Sequence, residues 1–252
     1  MIEIRGLTKV FGELKAVDNL SVSVKPGEIF GFLGPNGAGK TTTVKILSGL
    51  MHPTEGEVIV GGYNVVTHPI EAKKIMALVP DEPFVYPKLT GVEFMYFVGD
   101  LYGVSRSRQK TEIPKLLSMF ELDRWKDELL ESYSHGMRQK LVLSSVLLRE
   151  PKVVLLDEPM VGLDPKSARL MKVILKDLAA KGVTIFMCTH ILEIAQRLCG
   201  RIGIMYEGRM TELGTFEELR ARAGKSLSGG TAEVTLEEVF LSLTGGGDFS
   251  HL

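Results

Sequence analysis

The sequence has few cysteines, no excess of basic residues and no long apolar run. Cys188 and Cys199 are its two cysteines, which argues against a disulfide framework or a cysteine-based zinc site and is typical of a reducing compartment. The formal net charge is -1 over 252 residues, so bulk electrostatics do not indicate nucleic-acid binding. No run approaches the ~18 apolar residues of a membrane helix, and residues 1–5 (MIEIR) do not open a secretory signal. We therefore expect a cytoplasmic protein that acts at any membrane through a partner.

The apolar residues form short runs that alternate with helical patterns. Continuous runs, as expected for strands of a parallel sheet buried on both faces, stand at 29–33, 153–156 and 183–187. This alternation predicts an α/β fold with a mainly parallel sheet. A helical insert at about 88–148 is predicted to separate two strand-rich halves. Within it, one helix face is predicted to carry Leu116, Leu117, Phe120 and Leu122.

The C-terminal part of the chain combines turn, helix and linker signals. A hairpin is predicted over 201–210, and Thr215 with Glu218 forms the capping box of a following helix. Ser and Gly dominate residues 225–231, which predicts a linker. A short helix is predicted over 236–243, and the glycine tail at 245–247 is expected to be disordered. We thus divide the chain into a main domain, 1–224, and a C-terminal extension, 225–252.

A glycine-rich loop follows the first continuous apolar run. Residues 34–41 read GPNGAGKT, which fits the phosphate-binding pattern G-x-x-x-x-G-K-[ST] between a predicted strand and a predicted helix. The glycines let backbone N–H groups point at phosphate oxygens, and the helix adds its positive N-terminal end. Lys40 would reach the β- and γ-phosphates, while the Thr41 hydroxyl would bind Mg²⁺. By itself the loop does not distinguish kinases, GTPases, motor ATPases and transporters.

Two carboxylates end the second continuous apolar run. Asp157 and Glu158 follow VVLL, and in a parallel sheet ligands bind outside the carboxyl ends of the strands. Asp157 is placed to hold Mg²⁺, directly or through water. Glu158 is the candidate general base that polarises the attacking water, a role that typically contributes ~10²–10⁴-fold to the rate.

A signature-like segment stands just upstream of the acidic run. Residues 134–139 read SHGMRQ, and Ser134 is a good N-cap for the helix that follows. Ser134 and Gly136 match the Leu-Ser-Gly-Gly-Gln signature of ABC ATPases. His135 and Met137 depart from that signature in a form similar to exporter-type members.

With this segment, the phosphate loop and the acidic pair, the chain resembles the ABC ATPase family over about residues 2–224. The resemblance implies a P-loop NTPase core with a mainly parallel sheet, an N-terminal antiparallel β sub-domain and an inserted α-helical sub-domain. Residues 162–164 are similar to the D-loop, which touches the opposite subunit. His190 is similar to the switch histidine, which hydrogen-bonds the γ-phosphate. Phe11 stands where the family has an aromatic that stacks on adenine, and Asp81 where it usually has a Gln near Mg²⁺.

The expected site combines three groups of residues. The catalytic candidates are Lys40, Glu158 and His190, and the expected ligands of Mg²⁺ are Thr41, Asp81 and Asp157. Contacts to ATP are expected from Phe11, Gly34, Pro35, Asn36, Gly37, Ala38, Gly39, Lys40, Thr41 and Thr42. A second subunit would add contacts in trans from Ser134, Gly136 and Met137.

The resemblance also implies partners. Two cassettes, as a homodimer or a heterodimer, would sandwich two MgATP, and their opening and closing would move an integral membrane permease. The permease is expected to dock beside residues 81–102, where five aromatics occur: Phe84, Tyr86, Phe94, Tyr96 and Phe97. The alternative is that most of these aromatics form the core of the helical insert. Residues 236–244 (LEEVFLSLT) resemble C-terminal segments of exporter-type ATPases. We therefore expect export of an unknown substrate from the inner face of the cell membrane, with no nucleic-acid partner.

Three other interpretations remain. A member of the family that acts in translation or DNA repair usually carries two cassettes, coiled coils or zinc insertions, and the sequence shows none of these. A regulatory module with a dead site is supported by His135, Met137 and Asp81 alone. A small-molecule P-loop kinase leaves the signature segment and His190 unexplained.

Overall fold

The computed structural model describes residues 1–223 and 236–243. The predicted linker at 225–231 and the predicted tail at 245–247 lie outside the described residues. The strands are β1 (Ile2–Phe11), β2 (Leu14–Val24), β3 (Ile29–Leu33), β4 (Glu55–Val60), β5 (Tyr63–Asn64), β6 (Met76–Val79), β7 (Val153–Asp157), β8 (Thr184–Thr189), β9 (Arg201–Tyr206) and β10 (Arg209–Gly214). The helices are α1 (Lys40–Leu47), α2 (Pro69–Ile75), α3 (Gly91–Leu101), α4 (Arg106–Met119), α5 (His135–Arg149), α6 (Pro165–Ala180), α7 (Leu192–Leu198), α8 (Phe216–Ala223) and α9 (Leu236–Leu243), with a 3₁₀ turn at Leu130–Ser132.

The strands form two sheets, which we call the N-terminal sheet and the central sheet. The N-terminal sheet has the order β2-β1-β4-β5 and is antiparallel. The central sheet has the order β10-β9-β3-β8-β7-β6, and its neighbouring strands are parallel from β9 to β6. Among the described strands of this sheet, β10 alone runs antiparallel to its neighbour, because the hairpin turn at Glu207 and Gly208 joins it directly to β9. The predicted α/β class, mainly parallel sheet and antiparallel N-terminal sheet are confirmed.

The continuous apolar runs become the interior strands of the central sheet. Every residue of β3, β7 and β8 is buried. Alternate side chains of these strands enter two different apolar clusters, for example Leu156 on one face and Leu155 on the other. This two-sided burial explains why the runs show no polar alternation. One face packs on the insert helices and α6, and the other on α1 and the N-terminal sheet.

Helices α3, α4 and α5 lie between β6 and β7 along the chain, within the predicted insert. The predicted apolar positions are all buried, but α4 ends at Met119, so Phe120 and Leu122 follow the helix instead of lying on it. The chain turns at Glu121, whose φ is 59°, a left-handed conformation that ends helices. The division into a main domain with an inserted sub-domain stays a prediction.

The C-terminal elements close one side of the central sheet. Thr215 and Glu218 form the predicted capping box, since each backbone N–H donates to the other residue's side-chain oxygen. The predicted helix over 236–243 is present as α9, and its residues Leu236, Val239 and Phe240 are buried against α7, α8 and the sheet. Of the helices that the structure describes, none is long and apolar enough to cross a membrane.

Candidate active site

The topology of the central sheet assembles the site. The order β3-β8-β7 makes three neighbouring strands end at one edge, because Leu33 pairs with Thr189 and Asp157 with Cys188. The phosphate loop follows β3, His190 follows β8 and Glu158 follows β7. Groups that are far apart in sequence therefore meet at the carboxyl edge of the sheet, where ligands bind in such folds.

The phosphate loop requires glycine at positions where the backbone is tightly enclosed. A Cβ atom at Gly34 would collide with the Met205 carbonyl, and one at Gly39 with the Ala16 carbonyl. Gly39 also has a φ of 103° directly before α1, a conformation that L side chains rarely adopt. The loop thus brings its backbone N–H groups and the N-terminus of α1 to one small cradle, which suits an anion.

Lys40 begins α1 and lies inside this cradle. Its side chain is buried, and Nζ donates to the carbonyl oxygens of Gly34 at 2.6 Å and Pro35 at 3.0 Å. A buried ammonium is stable only with such partners. These two bonds hold the positive charge against the loop, where phosphate oxygens are expected.

A cleft of about 340 Å³ opens in front of the loop. It is lined by Phe11, Leu14, Ala16, Asn36, Gly37, Gly39, Lys40, Thr41, Thr42, Asp81 and Glu158. Most of these residues are predicted from the sequence. Leu14 and Ala16 belong to no motif, and the only signal for them is their place in the strand that follows Phe11.

Asp157 lies under the floor of the cleft as a buried carboxylate. It is 4% exposed, and its Oδ1 atom has no hydrogen-bond partner among the described residues. Burial raises the pKa of Asp157, the nearby Thr41 hydroxyl lowers it, and the carboxylates of Glu158 and Asp81 raise it. A buried anion with an unused oxygen beside a hydroxyl suits a cation.

The described residues can supply only part of a coordination shell for Mg²⁺ here. No group of three or more His, Cys, Asp or Glu side chains that could hold a metal occurs within residues 1–223 and 236–243. Thr41 and Asp157 provide a hydroxyl and a carboxylate, so phosphate oxygens or water would have to complete the shell. Asp81 is exposed on the wall of the cleft.

Glu158 and His190 face each other at the end of the sheet. The Nδ1 atom of His190 lies 2.9 Å from Glu158 Oε1, and the His190 backbone N–H donates to Oε2 at 3.3 Å. The Nδ1 contact is short, but its angles do not make a hydrogen bond. Glu158 has a φ of 48°, which is strained for a residue other than glycine and is typical of functional turns. The turn directs the carboxylate into the cleft, where it can accept a proton from water.

The signature segment lies on a different surface. Ser134 caps α5 as predicted, since its Oγ accepts the Met137 backbone N–H at 3.3 Å. Ser134, Gly136 and Met137 are outside the described lining of the cleft. They adjoin the 162–164 loop instead, because a Cβ atom at Gly136 would lie 2.7 Å from the Gly162 carbonyl oxygen. This close packing joins the two segments into one surface.

An ion pair strengthens the same junction. Lys140 Nζ lies 3.2 Å from Asp164 Oδ2, and Asp164 caps α6 by accepting the Ser167 backbone N–H at 2.9 Å. The bonds from Ser167 and from Lys140 hold the pKa of Asp164 well below its usual range. No sequence motif predicts the contact between Lys140 and Asp164.

Comparison with known proteins identifies the family. The sequence matches the family "ABC transporter" over residues 17–161. The chain belongs to the ABC transporter family. It is 35% identical over 224 residues to the linearmycin resistance ATP-binding protein LnrL of Bacillus subtilis, a match that covers 89% of this chain and 72% of LnrL. It is 36% identical over 228 residues to the bacitracin transport ATP-binding protein BcrA of Bacillus licheniformis, covering 90% and 74% of the two chains.

Solved structures of ABC cassettes have the same fold. An ATP-binding subunit of an ABC transporter superposes with a TM-score of 0.89 at 31% identity, covering 97% of this chain and 99% of that one. The ATP-binding cassette MJ0796, solved as a dimer in a post-hydrolysis state with ADP and phosphate, superposes with a TM-score of 0.77 at 26% identity, covering 85% and 98%. This ABC protein is therefore an ATP-binding and ATP-hydrolysing cassette, as the sequence predicts.

Proposed function

We propose that this cassette hydrolyses ATP at the carboxyl edge of its central sheet and thereby powers export through a separate membrane protein. The observation that carries the proposal is that Lys40 and Glu158 line one cleft and that His190 lies beside Glu158. The phosphate loop supplies binding, and the acid beside it supplies a proton acceptor. Positioning of the phosphates and activation of water are two of the contributions that a protein makes to hydrolysis of a phosphoanhydride.

Binding of the triphosphate rests on the loop and on Lys40. Loop N–H groups at the start of α1 donate to phosphate oxygens, and the ammonium offsets their negative charge. Phe11 is 45% exposed at the rim of the cleft and offers a ring on which adenine stacks. Thr42, also in the lining, adds a hydroxyl near the phosphates.

Hydrolysis rests on Glu158, with His190 as its support. The Glu158 carboxylate orients a water molecule and takes its proton as the water oxygen attacks the γ-phosphorus. The bond from that phosphorus to the β,γ-bridging oxygen breaks, and ADP leaves with the electron pair. A general base of this kind contributes ~10²–10⁴-fold. His190 lies 2.9 Å from one carboxylate oxygen, so it limits the orientations open to the acid. Its backbone N–H bond to the other oxygen acts in the same way.

Thr41, Asp157 and Asp81 are the residues that would hold Mg²⁺. The ion would supply charge neutralisation to the phosphate oxygens. Asp157 suits this role because its buried Oδ1 atom has no partner among the described residues. Asp81 faces the same cleft, where it adds negative charge in place of the neutral Gln usual in the family.

The signature residues Ser134, Gly136 and Met137 serve a second cassette. Their surface, with the adjoining 162–164 loop, lies outside the cleft lining, which is the arrangement needed if each site is completed in trans. The dimeric state of the related cassette MJ0796 supports this reading. Two copies of this chain, or this chain and a related cassette, would form the dimer.

The names of the relatives support export, and an exposed aromatic surface supports docking of a membrane subunit. The names of LnrL and BcrA refer to linearmycin resistance and bacitracin transport. In the segment proposed to dock the membrane subunit, Phe84 is 83% exposed, and Tyr86 and Phe97 form an exposed edge-to-face pair. Phe94 is instead buried in the core of the insert and cannot take part. The cassette would work at the cytoplasmic face of the membrane.

Phosphate release by the purified cassette tests the ATPase, with and without Mg²⁺. Lys40→Met should abolish ATP binding and turnover, whereas Lys45→Met, an exposed lysine of the same helix, should leave both intact. Equal activity of the two variants would contradict the assigned site. The export role is tested by co-purification with the membrane protein encoded beside the gene. Co-purification with ribosomes, or a binding-protein gene in the same operon, would contradict it.

A further inference from the structure

A cation covers the aromatic ring at the rim of the cleft. Lys9 Nζ lies over the ring of Phe11, 5.0 Å from its centroid. That distance is within the range at which an ammonium is attracted to an aromatic face. Of these two described residues, Phe11 lines the cleft and Lys9 does not. Lys9 can therefore act on a ligand in the cleft mainly through the ring.

The ammonium is held in place from the other side. Lys9 Nζ also donates to the His52 carbonyl oxygen at 2.9 Å. The segment that contains His52 is tied to β1, since the Thr54 N–H donates to Thr8 O at 2.8 Å and Thr54 Oγ1 accepts the Val10 N–H at 3.1 Å. Lys9 thus has a fixed acceptor on a backbone that is itself anchored to the strand.

Packing restrains the Phe11 ring only in part. Phe11 is 45% exposed and is absent from the three buried apolar clusters of the described residues. An exposed ring at a strand end rotates freely unless a neighbour restrains it, and ordering it on binding reduces affinity. The fixed cation over one face supplies such a restraint.

We propose that Lys9 is a positioning residue for base recognition, which holds and polarises the Phe11 ring on which the adenine of ATP stacks. The inference rests on the stacking role proposed for Phe11. Aromatic faces carry negative charge and repel one another when stacked face to face. A cation on one side draws electron density towards itself, so the opposite face becomes a better platform for a purine.

The test compares ATP with inorganic tripolyphosphate, which has the phosphates but no base. Equilibrium dissociation constants are measured in Mg²⁺ for the whole chain and for Lys9→Met, Lys9→Arg and Phe11→Leu. Lys9→Met should weaken ATP roughly two- to fivefold and leave tripolyphosphate binding unchanged. Lys9→Arg should restore ATP affinity, because a guanidinium also binds an aromatic face. Lys25→Met, which removes an exposed lysine directly after the far end of β2, should change neither constant.

A double substitution tests whether Lys9 affects ATP affinity through the Phe11 ring. In the Phe11→Leu background, Lys9→Met should have no further effect on ATP, since the ring that transmits it is gone. Unchanged ATP affinity in Lys9→Met would overturn the inference. An equal loss of affinity for ATP and for tripolyphosphate would also overturn it, because that result would show that Lys9 attracts the phosphates by its charge. If Phe11→Leu leaves the ratio of the two constants unchanged, stacking and the inference both fail. Hydrolysis through Lys40 and Glu158 would still stand in that case.

Discussion

Two aspartates seven residues apart in the chain show how differently two parts of this cassette are built. Asp157 ends β7 under the cleft, is buried, and has a raised pKa because it is removed from water. Asp164 caps α6 beside the signature segment, is half exposed, and has a lowered pKa because Ser167 and Lys140 bind its charged form. The buried charge of Asp157 lowers the stability of the folded chain but leaves an oxygen available to a ligand. The carboxylate of Asp164 is already paired with groups of its own chain.

The contrast extends to the surfaces around them. Residues that follow β3, β7 and β8 meet at one edge of the sheet. Lys40, Glu158 and residues of the loop line the cleft there, and His190 lies beside Glu158. Around Asp164, the internal contacts instead lock α5 to the 162–164 loop and leave Ser134 exposed. One region is an open cleft, and the other is a closely packed face that we propose contacts a second cassette.

The largest effect is expected from the cleft. Glu158→Gln should lower the rate of phosphate release by ~10²–10⁴-fold, because the amide cannot accept the proton from water. ATP binding should persist, and an ATP-loaded dimer should accumulate in light scattering. Glu207→Gln is the control, since Glu207 has a similar φ of 47° in an exposed hairpin turn and should retain full activity. Normal turnover in Glu158→Gln would refute the assigned base.

A methyl group at Gly136 should lower turnover without changing the ATP affinity of the cleft in the same chain. Gly136→Ala puts a Cβ atom 2.7 Å from the Gly162 carbonyl oxygen, and such overpacking costs roughly 1–3 kcal/mol. The free energy of unfolding should fall by that amount, and turnover should fall because the displaced 162–164 loop and α5 no longer fit a second cassette. ATP affinity of the monomeric chain should be unchanged.

Gly200→Ala provides the matched control, because a Cβ atom there meets no described atom within 4 Å. Weakened ATP binding by monomeric Gly136→Ala would show that the signature surface contributes to the cleft of its own chain. That result would contradict the separation of the two regions.

Asp157→Asn should stabilise the folded chain and abolish its ATPase activity. Removing the buried charge should raise the free energy of unfolding at neutral pH by about 1 kcal/mol, while ATPase activity is lost. The folded-state pKa of Asp157 is raised. The ionised carboxylate therefore destabilises the folded chain above that pKa, and this destabilisation disappears as the pH falls through the folded-state pKa towards 3.8. The gain over the unmodified chain in thermal unfolding should therefore shrink on acidification. Asp177→Asn, at an exposed helix position, should show no gain.

The smallest effect is expected at Asp164. Asp164→Asn should lower the free energy of unfolding by ~0.5 kcal/mol or less, because Asn is an equally good N-cap and an exposed ion pair contributes little. Asp164→Ala should lower it by about 1 kcal/mol, because the cap itself is lost.

The pH dependence at Asp164 has the opposite sign to that at Asp157. Since the folded-state pKa of Asp164 is lowered, its contribution is present above 3.8 and is lost as pH falls through the folded value. A stabilising Asp164→Asn, or one whose effect grows on acidification, would contradict the contrast between the two aspartates.

Local sequence was sufficient wherever neighbouring residues form the feature. The loop at 34–41, the strand that ends at Asp157 and the cap at Ser134 were predictable because glycine freedom, apolar runs and N-cap chemistry act within a few residues. The aromatics of the proposed docking segment were not, because spacing alone does not tell buried Phe94 from exposed Phe84. The end of α4 was missed for a related reason, since buried Phe120 and Leu122 continue the apolar pattern beyond the last helical residue.

The sequence by itself determined the phosphate loop, the acidic strand end and the class of fold, since each depends on contiguous residues and their periodicity. Only the tertiary structure decided which of these groups meet. Strand order placed His190 beside Glu158 and left Asp157 without a partner for Oδ1 among the described residues. Lys9 lies over Phe11 and donates to the His52 carbonyl oxygen, and Gly136 packs α5 against the 162–164 loop. Such contacts join distant segments through packing and charge, which no local pattern encodes.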